Sequence, residues 1–290
     1  MSDFVLLTDS CCDLPKALVD EMQIAYVPLC VHMDENTYRN YLDEREISYP
    51  DFYARLPKIK DIKTSAVNQH EFLEIMEPVA ASGKDFIYIG FSSGLSGTYS
   101  AGALAVQELQ EKYPDRKLYA VDTLGASLGQ GMLVYYAYLQ QQAGKTVEEV
   151  YQFLLEASPK MCHWFTVNDL MHLKRGGRVS AATALVGSML SIKPVMHVDD
   201  EGHLINVSKA RGRKASLEAL AAKVGEDAIE PEKQTMFISH GDCLEDAEYV
   251  AKILQEKYHV PEIHFNHVGP VIGSHTGPGV VAMFYFGKKR

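Results

Sequence analysis

The chain has 290 residues, 47% hydrophobic and 23% charged, the proportions of a folded water-soluble protein, and its length suits two domains better than one. Its 38 Asp and Glu against 28 Lys and Arg leave a net charge of −10, which repels phosphate backbones and anionic lipid surfaces, so no nucleic-acid partner is expected. Five scattered cysteines (Cys11, Cys12, Cys30, Cys162, Cys243) lack a C-x-x-C pair, the opening residues reach Asp3 without a basic leader, and no apolar run is long enough to span a membrane. The expectation is a cytoplasmic chain with no stable membrane insertion.

Short apolar runs alternate with helical patterns in the first half: Phe4 to Leu7, Phe86 to Phe91 and Leu118 to Val121, each ending in small or acidic residues, have the rhythm of βαβ units. Ala101, Leu104, Ala105 and Leu109 recur at helical spacing after Ser96, and small residues from Gly125 lead into a helix through Met132 to Leu139. Thr146 with Glu149 forms a capping box ahead of Val147, Val150, Phe153 and Leu154. Ser158-Pro159 ends that helix and an extended run begins at His163, which places a domain boundary near residue 160. Pro194 to Val198 and Leu204 to Val207 read as a hairpin turned at Glu201-Gly202. Asp242 with Glu245 is expected to cap a helix buried through Ala247, Val250, Ala251 and Leu254, and strands at Ile263 to Val268 and Val280 to Phe286 follow. The reading is an α/β protein with an N-terminal parallel-sheet domain over 1–160 and a C-terminal mixed-sheet domain over 161–290.

Four small-residue loops stand out: Thr8-Asp9-Ser10, Thr64-Ser65, Ser92-Ser93-Gly94-Leu95-Ser96-Gly97-Thr98 and Gly273-Ser274-His275-Thr276-Gly277-Pro278-Gly279. The third lies between a strand and a helix N-terminus, where hydroxyls and free amides suit an anion, although Ser and Thr also serve there as simple caps. It lacks the lysine of a phosphate-binding loop, which argues against a nucleotide. His275, set among glycines, reads as a loop histidine. A competing signal is Gly125-Ala126-Ser127-Leu128-Gly129, which matches a nucleophile elbow with Asp242 and His275 downstream and keeps a Ser127 serine esterase or lipase as the alternative. The match is weak because five residues separate Val121 from the serine. His264 and His267 lie three apart on a strand and face opposite sides, and His163 and His172 lack companions at ligand spacing, so no metal is expected. Two basic runs, Lys209 to Lys214 and Lys174 to Arg178, read as a solvated turn or partner surface and as a glycine bend, respectively.

Taken together, Thr8-Asp9-Ser10 with Asp13-Leu14-Pro15, Thr64-Ser65, Ser92 to Tyr99, Leu173 to Arg178, Lys193-Pro194 and Gly273 to Gly279 resemble the DegV family, in the right order over nearly the whole chain. Val67-Asn68 departs where the family more often carries proline and serine. The resemblance implies a two-domain α/β protein holding a long-chain, palmitate-like fatty acid between its domains as ligand, without a cofactor. It implies that Thr64 and Ser96 hydrogen-bond the carboxylate and that His275 approaches it from the second domain, with Ser65, Ser93 and Gly97 nearby. Members of this type resemble the FakB subunit of bacterial fatty acid kinase, which presents the carboxylate to a separate ATP-using kinase subunit. On that reading the chain is a non-catalytic substrate-presenting subunit, and Arg211 and Arg213 form a docking surface.

Overall fold

The computed structural model describes residues 4–180 and 191–290; residues 1–3, part of the leader reading, lie outside them. The elements run in chain order β1 (Phe4–Asp9), α1 (Lys16–Met22), β2 (Ala25–Val27), β3 (Cys30–Met33), β4 (Asn36–Arg39), α2 (Tyr49–Arg55), β5 (Ile62–Ser65), α3 (Gln69–Ala81), β6 (Asp85–Gly90), α4 (Thr98–Lys112), β7 (Leu118–Asp122) and α5 (Leu128–Gln142). They continue as α6 (Val147–Ala157), β8 (Met161–Thr166), α7 (Met171–Arg175), β9 (Ile192–Val198), β10 (Leu204–Arg211), α8 (Arg213–Asp227), β11 (Thr235–His240), α9 (Leu244–Tyr258), β12 (Glu262–His267), α10 (Pro270–Thr276) and β13 (Val281–Phe286).

A parallel sheet of order β2-β1-β6-β7 carries α3 and α4 on one face and α5 and α6 on the other. Its central strands β1 and β6 are covered from both sides, which is why they appear in the sequence as continuous apolar runs rather than alternating ones. The second sheet, β10-β9-β8-β13-β11-β12, is antiparallel except for β11 with β12, the mixed sheet expected of the C-terminal half. Helix α5 packs against strands of both sheets. Two glycines make this close fit: a Cβ at Gly129 would lie 2.7 Å from the Phe284 ring, and one at Gly131 would lie 2.6 Å from the Cys12 carbonyl oxygen. A core through Leu128, Met132 and Leu133 to Phe165, Phe237 and Phe284 therefore joins the sheets.

Several local expectations hold. The Thr146–Glu149 capping box is complete, with Glu149 N–H donating to Thr146 Oγ1 (3.2 Å) and Thr146 N–H to Glu149 Oε2 (2.8 Å). The hairpin pairs Leu204 with Val198 antiparallel, although its connection is the longer loop Asp199 to His203 rather than a two-residue turn. Asp242 does not cap α9. It sits at φ +55°, outside the extended backbone region a capping residue adopts, and Cys243 precedes the helix without a side-chain cap. Leu104 is 53% exposed despite its position on the apolar stripe of α4. The antiparallel sheet β4-β3-β5 had no counterpart in the sequence reading. Asn68, in the stretch that departs from the family pattern, completes a capping box with Glu71 at the start of α3.

Candidate functional site

A cavity of about 170 Å³ opens where the three sheets approach one another. Its walls are mostly apolar, with Leu29 after β2, Phe91 after β6, Phe165 on β8, Leu204 on β10, Val271 on α10 and Ala282 on β13. The polar side chains among them come from elements far apart in sequence.

Thr64 lies on the edge strand β5, paired with Val31 of β3, so the segment read as a loop is the end of a strand. Helix α10 packs on β3 and β5 and carries His275 in its last turn, which brings His275 Nε2 within 2.8 Å of Thr64 Oγ1. His275 is thus a largely buried helical residue, not the solvated loop histidine its glycine neighbours suggest. Burial pushes its pKa down to about 4, and the Arg178 guanidinium adds to the shift by disfavouring a second positive charge. The imidazole is neutral at pH 7. Gly176, after α7, makes the position possible: a Cβ there would stand 2.0 Å from His275 Nδ1.

Ser96 lines the same cavity, as do Ser65 and Gly97. Ser96 Oγ accepts from Thr98 N–H (3.2 Å) and lies 2.9 Å from Thr98 Oγ1, so it braces the start of α4 while facing the cavity. Ser65 shares a hydrogen bond with His32 Nε2 at 3.0 Å. Ser93 is not part of the lining. It is exposed, and its amide donates to Asp122 Oδ1 (3.3 Å), which holds it on the outer side of the loop.

Residues that the sequence reading does not place at the fatty-acid site complete the wall. Arg178 is half-buried and donates to the carbonyls of Gly176 (2.5 Å) and Leu95 (3.1 Å), which places a cation beside the Thr64–His275 pair. The paired glycines before it mark a bend in the sequence and give no sign of its place at the cavity. Ser127, Ser239 and His163 also face the cavity. The Thr8-Asp9-Ser10 motif is internal bracing: Asp9 accepts from Tyr88 OH and Phe91 N–H (both 2.9 Å), Thr8 donates to Ile89 O (2.7 Å), and Ser10 Oγ accepts from Leu29 N–H (3.0 Å).

The esterase arrangement is not assembled. Ser127 has φ +55° and donates to Asp13 Oδ2 (2.6 Å), with Ser239 Oγ 3.0 Å away. His275 is bonded to Thr64, and Asp242 pairs with His267 at 3.9 Å, so no imidazole serves the hydroxyl. Burial holds Asp13 protonated well above the usual carboxylate range, to about 7, despite the Ser127 hydrogen bond. His264 packs against Tyr135 and Phe237, and His267 against Tyr49, Tyr53 and His240. Among the described residues no group of three or more His, Cys, Asp or Glu side chains is arranged to hold a metal ion, and no helix is long and apolar enough to cross a membrane. The basic run divides: Arg211 is exposed at the end of β10, whereas Arg213 is held by Asp246 through Nε (2.8 Å) and Nη2 (2.7 Å).

A parallel sheet, a mixed sheet and a small antiparallel sheet around an apolar cavity with a small polar cluster define an α/β protein equipped to enclose an amphipathic small molecule. Residues 3–288 match the DegV family, described as uncharacterised proteins, and the chain belongs to it. It is 45% identical over its full length to a DegV domain-containing protein of Clostridium perfringens, covering 99% of that protein. Two solved structures are similar: a DegV lipid-binding protein from Thermotoga maritima (29% identity, TM-score 0.86, all of both chains) and DegV, a fatty acid binding protein from Bacillus subtilis (29%, 0.83, 99% of this chain and 100% of that one).

Proposed function

We propose that this protein binds one long-chain, palmitate-like fatty acid in the cavity and presents its carboxylate to a separate ATP-using kinase subunit for conversion to an acyl phosphate. The observation that carries the reading is the Thr64–His275 hydrogen bond on the wall of an apolar cavity that Ser96 also lines. Family membership and the fatty-acid-binding relative from Bacillus subtilis support it. Burial of each methylene contributes about 0.8 kcal/mol, so a long chain supplies on the order of 10 kcal/mol before association costs. The head group loses water on entry and needs donors in its place. The Thr64 and Ser96 hydroxyls and the His275 N–H provide them, with Arg178 adding a favourable charge nearby.

The chain acts as carrier and not as catalyst, in the cytoplasm, with residues 1–160 and 161–290 as its two lobes. Arg211, with Lys209 and Lys214, forms the docking surface for the kinase subunit; Arg213, tied to Asp246, serves to hold that surface in place. In Thr64→Ala and Ser96→Ala, bound fatty acid should fall at least tenfold while the melting transition stays cooperative. Retention of normal lipid by both folded variants contradicts the assignment.

A further inference from the structure

We propose that the cavity, while accepting plain acyl chains, prefers those bearing an oxygen partway along their length, a hydroxy or oxo fatty acid whose oxygen hydrogen-bonds to the imidazole of His163. The inference rests on the fatty-acid reading and deepens it.

His163 lines the cavity from β8 and is only 5% exposed. Its Nδ1 is buried without a hydrogen-bond partner, and neither ring nitrogen bonds to another described residue; the residue's polar links run through its backbone, whose carbonyl accepts from His197 Nδ1 (3.0 Å). Every other polar side chain of the described lining has a protein partner: Thr64 with His275, Ser65 with His32, Ser96 with Thr98, Ser127 with Asp13 and Ser239, Arg178 with two carbonyls, and Thr276 with Ile272 O. A buried polar group left unpaired is costly, and such groups in native proteins nearly always have a partner.

The surroundings of the ring place it on the hydrocarbon stretch of the cavity. His163 and Phe165 alternate onto the same face of the sheet, and the imidazole lies 5.7 Å from the Phe165 ring and 4.6 Å from the Phe284 ring. A cavity built for a plain alkyl chain gains nothing from an imidazole between two phenyl rings, where leucine or phenylalanine packs without a desolvated nitrogen. Burial lowers the His163 pKa well below the usual value, so the ring is neutral and offers one donor and one acceptor. A hydroxyl can pair with a ring nitrogen in either role, as donor or as acceptor, and a ketone with the donor nitrogen alone.

The test is binding of stearic acid and of a positional series of monohydroxystearic acids, by calorimetric titration, to the wild-type protein and to His163→Leu and His163→Phe. At least one hydroxystearate should bind the wild type roughly tenfold tighter than stearate, the value of one well-formed hydrogen bond. Both variants should keep or improve stearate binding and lose that preference. Equal affinity of the wild type for stearate and every isomer overturns the inference, as does a preference that survives in either variant. Failure of the wild type to bind any of these acids overturns the fatty-acid reading itself, a distinct result.

Discussion

Replacing Gly176 with alanine isolates the placement of His275. Gly176 has φ −74° and ψ −7°, a conformation any L-residue adopts, so the backbone accepts the change without strain. The added Cβ falls 2.0 Å from His275 Nδ1 and 3.0 Å from Cε1 and Cγ, whereas ordinary contact begins at 3.4 Å, so the ring must move by about 1.4 Å (3.4 − 2.0). It is confined on its other side by the 2.8 Å hydrogen bond to Thr64, and the displacement either compresses that contact or swings Nε2 away from it. Loss of a hydrogen bond to a charged group costs about 1.5–3 kcal/mol, which is roughly a 10- to 150-fold weaker hold on a carboxylate. Gly177→Ala is the matched control. Its φ of +73° makes alanine strained, yet no atom lies within 4 Å of the new Cβ, so stability should drop by about 1 kcal/mol with affinity retained. Calorimetric titration with palmitate and thermal melting read the two effects separately. Native palmitate affinity in folded Gly176→Ala would refute the role assigned to the imidazole.

Two other perturbations follow from the same geometry. Asp13 titrates near 7 in the fold against 3.8 for an ordinary aspartate, so between those values the native state keeps a proton that the unfolded chain has released, and stability on this group's account falls as pH rises through the window. Asp13→Asn keeps an acceptor for Ser127 and suits the left-handed φ of +48°, and its stability advantage over wild type should grow from near zero at pH 4 towards about 4 kcal/mol at pH 7; a pH-independent gap in urea unfolding is the contrary result. A fluorophosphonate probe should leave Ser127 unlabelled, because the hydroxyl faces a carboxyl group and no histidine; stoichiometric labelling would restore the esterase alternative.

The elements legible in the sequence are those whose local signal and tertiary role agree. Strands β1, β6 and β7 are shielded by helices and show as apolar runs, and the Thr146–Glu149 box marks its helix because both reciprocal bonds are local. Strands β3, β4 and β5 escaped because they are four residues each and half-exposed, leaving too few apolar positions for a period of two to register. That omission turned Thr64 into a loop residue. Helix α10 contains Gly273 and the β-branched Val271, Ile272 and Thr276, which disfavour an isolated helix, and it forms through packing on β3 and β5. Pro270 at its first turn was the overlooked start signal. Thr64, Ser96 and His275 were marked by motif order rather than by local physics. Arg178, Ser127, Ser239 and His163 meet only through long-range tertiary packing, a relation that no spacing in one sequence encodes.

The most direct measurement is denaturing extraction of the purified protein followed by mass spectrometry of the lipid fraction. One long-chain acid per polypeptide, lost on Thr64→Ala, is the outcome expected of a carrier that grips a carboxylate at the Thr64–His275 pair. A protein free of acid that also fails to take up palmitate when supplied with it would contradict the account.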